Sequence, residues 1–289
     1  MSEQDFDLTE YYLTNEHNKL ATLEGPAMLT FRAEEPLPKL DGATALYPLY
    51  AAFAKATYPK EHRNAVEYHS TIGGFTALVE KEVDMVFIAH PSDWQLQQAE
   101  RAGVQLVLTP IAKEAFVFFV NARNSINSLT VAQLQDIYGE RVNNRNEIGG
   151  KDGKIIPFQR NENSGSQTAF VKFMAGNYIR KPQMEEVAGG MGFMINMVAD
   201  YVNYRDAIGF SFRFFTNEMV GNKDIKLLNI DGVEPNVENI ANGSYPLTSD
   251  FYAITLEDNT NPNVQVFLDW ILSSQGQELV EKVGYVGVR

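Results

Sequence analysis

Three stretches of the chain place small and hydroxyl-bearing residues directly ahead of an amphipathic run. They are Asp41-Gly42-Ala43-Thr44, Ser70-Thr71-Ile72-Gly73-Gly74 and Arg160-Asn161-Glu162-Asn163-Ser164-Gly165-Ser166-Gln167. The start of a helix carries N–H groups without intrahelical acceptors and a partial positive charge. Glycine lets a ligand come close to that backbone, and serine and threonine add hydroxyl donors. Such a combination binds an anion while adding little net charge. Arg160 contributes a planar guanidinium fork, which matches a tetrahedral oxyanion through two parallel hydrogen bonds. The same hydroxyl residues also serve as ordinary helix caps. Their meaning therefore depends on the wording and order of all three stretches.

Other chemistries find less material. The four histidines, His17, His62, His69 and His90, include no pair at helical i, i+3 or i, i+4 spacing, so no metal site is expected. The chain has no cysteine, which excludes disulfides, thiol catalysis and cysteine-bound zinc. Ser164-Gly165-Ser166 lacks the Gly-x-Ser-x-Gly frame of a nucleophile turn. The expectation is a binding protein with no catalytic residues and no cofactor, and not an enzyme.

The elements that must position these residues alternate between strand and helix patterns. Helical spacing of Leu46, Leu49, Tyr50 and Phe53 predicts a helix over 45–58, and 65–69 reads as a short strand. A helix over 75–82, a strand over 84–89, a helix over 94–102 and a strand over 105–111 follow. The apolar run 115–120 suits a strand covered on both faces. Thr130 caps a helix whose inner face carries Leu134, Ile137 and Tyr138. A strand over 155–158 precedes a helix over 166–174 with Phe170, Phe173 and Met174 facing inward. Further strands are predicted over 207–212 and 225–230, and helices from Pro262 and over 277–283. This alternation predicts an α/β architecture with largely parallel sheets.

The three stretches together resemble the phosphate-binding proteins of bacterial ABC importers, within the type II periplasmic-binding-protein fold. Gly42-Ala43-Thr44-Ala45-Leu46-Tyr47-Pro48 is similar to the family's Gly-Ala-Thr start followed by a proline-containing helix. Thr71-Ile72-Gly73-Gly74 corresponds to its Ser-Ser-Gly-Gly loop. Arg160 to Ser166 corresponds to its Arg-x-x-x-Ser-Gly-Thr motif. The resemblance runs from roughly residue 38 to the end and is supported by Ala207-Ile208-Gly209-Phe210 and Asn242-Gly243-Ser244-Tyr245-Pro246-Leu247.

The resemblance implies two lobes joined at a hinge, with a ligand in the inter-lobe cleft. An N-terminal extension over 1–36, strapped across one lobe, would precede lobe 1 (37–114 and 247–289) and lobe 2 (115–246). Thr44, Thr71, Arg160, Ser164, Gly165 and Ser166 would line the ligand, with Ser70 able to replace Thr71 at a register shift of one residue. Glu162 would pair with the arginine from behind. The family's proton-accepting Asp falls here on Ala89, and a carboxylate in that place is what favours hydrogen phosphate over sulfate. His90, next in sequence, and Asp41 are the alternative acceptors; His90 is equally a loop residue without ligand contact.

The net charge of −13 weighs against nucleic acid or an anionic membrane surface as partner, and it requires any anion site to be built locally. The partners implied are inorganic phosphate or a similar oxyanion and an ABC permease, with the protein acting as a monomer. An anion-sensing or scavenging domain without a permease, or a receptor for sulfate, uses the same residues. The acidic start, Met1-Ser2-Glu3-Gln4-Asp5-Phe6, holds no apolar run. The extracytoplasmic placement, periplasmic or as a cell-surface lipoprotein, therefore expects an export signal that this chain does not carry.

Overall fold

A computed structural model describes residues 7–200 and 206–288. The strands and helices in chain order begin with β1 (Leu40–Gly42), α1 (Tyr47–Thr57), α2 (Ser70–Val79), β2 (Met85–Ala89) and α3 (Asp93–Ala102). Then come β3 (Leu106–Asn121), β4 (Ser128–Leu129), α4 (Val131–Tyr138), β5 (Ile156–Pro157), β6 (Gln159–Arg160) and α5 (Gly165–Met174). β7 (Val187–Ala188), α6 (Met191–Asp200), β8 (Ala207–Phe212), β9 (Ile225–Leu227) and β10 (Asn229–Ile230) follow. The chain closes with α7 (Val237–Ala241), β11 (Thr248–Leu256), α8 (Asn263–Ile271) and α9 (Ser274–Val283). Among the described residues the chain forms two compact units, one of residues 7–113 with 250–288 and the other of residues 114–249.

In the first unit β1 and β2 run parallel, with Gly42 opposite Phe87, and β11 adds antiparallel to β2, with Phe251 opposite Ala89. Alternate residues of β2 face opposite layers, as the strand period requires. Val86 and Ile88 join Phe75, Leu78, Ala99, Ile254 and Leu256 in one core. On the other face Phe87 stacks on Tyr50 of α1 at 5.1 Å, and Trp270 of α8 packs edge-on to Phe53 at 6.1 Å. Covered on both faces, β2 is buried at all five positions. Residues 7–36 strap across this unit. The Phe31 N–H donates to the Thr57 carbonyl (2.9 Å), and the Phe31 ring sits against Tyr58 and Phe267.

In the second unit the part of β3 from Glu114 onward pairs antiparallel with β8, from Phe116 opposite Phe212 to Val120 opposite Ile208. β8 pairs parallel with β5, and β9 adds antiparallel to β3. The core is aromatic: Phe170 of α5 stacks on Phe210 at 4.6 Å with rings 4° apart, and Tyr138 of α4 lies 4.7 Å from Phe170. This stack seats α5 on the sheet and so places the loop ahead of it, Arg160 to Ser166.

Several expectations are corrected. The sheets are mixed rather than largely parallel, because β11 and the long β3 enter antiparallel. The runs 105–111 and 115–120 form one sixteen-residue strand, since Pro110 and Lys113-Glu114 do not interrupt an extended backbone. The strand expected over 65–69 is a 3-10 turn (Lys60–Ala65) followed by an isolated bridge between Leu40 and Val66. The run 225–230 is split into β9 and β10. β11, with buried Phe251 and Ala253, and α6 were not anticipated from periodicity. The helix expected over 75–82 starts at Ser70, so Ser70-Thr71-Ile72-Gly73-Gly74 is its first turn and not a loop before it.

Candidate functional site

The structure brings the candidate residues together as two clusters, one in each unit. In the second unit Arg160 ends β6, which pairs in parallel with β7 so that Arg160 stands opposite Ala188. Its guanidinium is buried, with four neutral acceptors within hydrogen-bond distance. Nε donates to the Ala188 carbonyl at 3.1 Å, one terminal nitrogen to Ser166 Oγ at 3.4 Å, and the other to Asn161 Oδ1 at 3.3 Å and the Gly189 carbonyl at 3.5 Å. Ser164 is the N-cap of α5, its Oγ accepting from the Gln167 N–H at 3.3 Å. Gln167 reaches back, its Oε1 accepting from the Arg160 N–H at 2.9 Å. Asn163, just before the cap, has φ 64°, a left-handed turn that swings the chain into the helix. Arg160, Ser164, Gly165 and Ser166 thus share one helix start, where a buried guanidinium, the hydroxyls of Ser164 and Ser166 and the first-turn amides converge.

Glu162 does not hold the guanidinium. Its side chain is exposed, and among the described residues it makes no ion pair with Arg160. The backbone carbonyls of Ala188, at the end of β7, and Gly189, just after it, together with Asn161 and Ser166, take that part instead. The sequence pattern could not show this, because the carbonyls come from a strand almost thirty residues further on.

In the first unit β1 and β2 end side by side, and the helix starts following β1 gather at their carboxyl ends. That is where open α/β sheets place ligands. Thr44 opens a 3-10 turn (Thr44–Leu46) leading into α1, and its hydroxyl lies 2.7 Å from the Tyr68 hydroxyl. Ser70 and Thr71 open α2, with Ser70 half-buried at φ 65° and Thr71 buried. Gln95 of α3 supports the turn by donating to the Thr71 carbonyl at 3.5 Å. Ala89 ends β2, buried opposite Phe251. His90 is exposed, with Nδ1 2.9 Å from the Pro91 carbonyl and its ring edge-on to Tyr252.

Asp41 is fully buried, and its oxygens are already engaged. Oδ1 accepts from the N–H groups of Gly42 (2.7 Å) and His69 (2.8 Å), and Oδ2 lies 2.7 Å from His69 Nδ1. It therefore holds the loop before α2 and is not an open acceptor for a ligand proton. His69 is the residue that sequence reasoning passed over. Its pKa is raised, first by the hydrogen bond to Asp41 and then by the charges of Asp41, Glu67 and Glu82, against a partial loss of solvation. Asp41, Glu67 and His69 each bring a ligand atom within 4.8 Å of the others. At 2.7 Å the Asp41–His69 pair is a hydrogen bond, and Asp41 Oδ1 is taken by two backbone N–H groups.

Two units of mixed α/β structure, with hydroxyl-bearing helix starts beyond the ends of their strands, describe a class of solute-binding domain. Residues 37–275 match the family model of the PBP superfamily domain, and the chain belongs to that superfamily. Phosphate-binding protein PstS of Bacillus subtilis is 26% identical over 251 residues, covering 86% of this chain and 80% of that protein. Protein SphX of Synechococcus elongatus is 24% identical over 269 residues, covering 88% of this chain and 78% of that protein. Among solved structures, a phosphate ABC transporter substrate-binding protein with bound phosphate from Clostridium perfringens superposes with a TM-score of 0.68 at 24% identity, covering 86% of this chain and 98% of that one. A phosphate transport receptor from Vibrio cholerae superposes at 0.62 with 19% identity, covering 86% and 98% of the two chains. These likenesses extend the expected type II fold over most of the chain.

Proposed function

We propose that this chain is the capture component of an ABC importer for a tetrahedral oxyanion, with phosphate as the first candidate. The observation that carries the reading is the Arg160 cradle. A buried guanidinium, oriented by the carbonyls of Ala188 and Gly189, stands at the start of α5 beside Ser164, Gly165 and Ser166. Charge-assisted bonds to a fixed fork are strongest where water is excluded. The Bacillus subtilis relative is named a phosphate-binding protein. Thr44, Ser70, Thr71 and His90 are the proposed contacts of the first unit, and Asp41 supports them from behind.

The working arrangement proposed is an extracytoplasmic monomer that hands its ligand to a membrane permease and has no nucleic-acid partner. No helix among the described residues is long and apolar enough to cross a membrane. The deciding experiment is titration calorimetry with phosphate, sulfate, arsenate and molybdate. Phosphate is expected to bind with sub-micromolar affinity, about −8 kcal/mol or better. Binding of none of the four would sink the proposal.

A further inference from the structure

The first unit contributes hydroxyls and helix-start amides but neither arginine nor lysine to its cluster of candidate residues. Its cation-forming groups there are His90, whose Nδ1 is turned to the Pro91 carbonyl, and His69. Asp41, buried beneath the loop, fixes His69 twice, through the backbone N–H at 2.8 Å and through Nδ1 at 2.7 Å. The side chain is nevertheless 57% exposed. With Nδ1 turned to the carboxylate, Nε2 makes no hydrogen bond to a described residue.

His69 also lies against the first turn of α2. A Cβ built on Gly73 would stand 2.7 Å from His69 Cβ, so this glycine is what allows the side chain to fold over the turn. An imidazolium beside the positive end of a helix is electrostatically unfavourable by itself. Asp41 offsets part of that cost, and an anion at the same place offsets the rest.

Acceptors for a ligand proton are scarce here. The Asp41 oxygens are spent on Gly42 and His69, and Ala89 offers none. Glu67, 3.6 Å from His69 Nδ1 and itself 45% exposed, is the one other carboxylate against the ring. Glu82 acts on His69 through its charge, while the Tyr68 hydroxyl is paired with Thr44 and the Tyr50 hydroxyl with the Glu67 carbonyl.

We propose that His69, oriented by Asp41, is the anion-reading donor of the first unit and that it selects the fully deprotonated, dianionic form of a tetrahedral oxyanion. This rests on the oxyanion reading above and adds to it a residue and a ligand charge state. Thermodynamic linkage makes it testable. A ligand that prefers the protonated imidazole must raise the His69 titration midpoint when it binds, and its affinity must fall as pH rises through that midpoint.

The test uses sulfate, a dianion across the whole range, titrated calorimetrically from about pH 5 to about pH 9, with the His69 ring followed by NMR. Wild type is expected to lose sulfate affinity as the imidazole deprotonates, and saturating sulfate to move the His69 midpoint upward. His69→Asn keeps a donor to Asp41 but lacks the ring. It is expected to bind about tenfold more weakly below the midpoint, with a shallower pH profile than wild type. His69→Gln, a neutral donor of similar reach, is expected to recover part of that loss while keeping the shallower profile. Sulfate binding to His69→Asn with wild-type strength and pH profile overturns the proposal and leaves the oxyanion reading standing. So does a His69 midpoint that saturating sulfate does not move, or phosphate binding without any sulfate binding. Failure of wild type to bind either anion overturns both.

Discussion

Replacing Arg160 by lysine separates the charge of the cradle from its shape. The arginine donates from three nitrogens to four acceptors between 3.1 and 3.5 Å away, and this spread fixes the plane of the fork. Lysine keeps one positive charge on a flexible stem but presents a single point, so it cannot hold the Ala188 and Gly189 carbonyls and also present a fixed charge-assisted donor to an anion. One charge-assisted hydrogen bond is worth about 1.5–3 kcal/mol. Arg160→Lys is therefore expected to weaken binding of the preferred oxyanion about tenfold to about 150-fold. One under-satisfied buried carbonyl costs about 1 kcal/mol more, which should lower Tm by about 2–4 °C. Titration calorimetry and a thermal melt of the same preparation measure both. Glu162→Gln is the control: its side chain is exposed, and both quantities should stay within about 0.5 kcal/mol of wild type. An Arg160→Lys affinity within about threefold of wild type, with Tm unchanged, would refute the fork as the anion's anchor.

Two further outcomes follow from the second unit. Phe170→Ala removes a fully buried ring stacked at 4.6 Å on Phe210 and should cost about 3–5 kcal/mol in equilibrium denaturation. It should also loosen the α5 start and weaken anion binding, and a loss below about 1 kcal/mol would mean that the stack does not seat the helix. Glu114 is buried beside Arg213 (3.4 Å) and accepts the N–H groups of Ala115 and Phe214, yet burial lifts its pKa from 4.5 to about 7. The folded state then binds more protons than the unfolded state between those two values, so this group's contribution to stability falls as pH rises through that window. Glu114→Gln should remove that slope of about one proton from the difference between the two stability profiles, and an unchanged slope would contradict the assignment.

The chemistry of the anion cradle was legible in the primary structure, because helix starts are local. Ser164 caps α5 and Thr130 caps α4 through contacts three residues apart, and such contacts are written in residue order. The family wording of Arg160 to Ser166 and of Gly42 to Pro48 was readable for the same reason. Long strands were less so. β11 and the continuity of β3 depend on partners far away in sequence, and a half-buried antiparallel strand is only weakly marked by its own pattern.

The residues of the chain by themselves determined that hydroxyls, glycines and one arginine stand at helix starts in a cysteine-free, acidic α/β protein. Tertiary structure alone decided which groups support them. It set the carbonyls of Ala188 and Gly189, not Glu162, behind Arg160, because β6 and β7 pair. It also turned Asp41 from a candidate acceptor into the anchor of His69, because α2 begins at Ser70 and carries the preceding residue over a buried carboxylate. Both are contacts between segments more than twenty residues apart. Their energy depends on burial and distance, and neither quantity exists until the chain has folded.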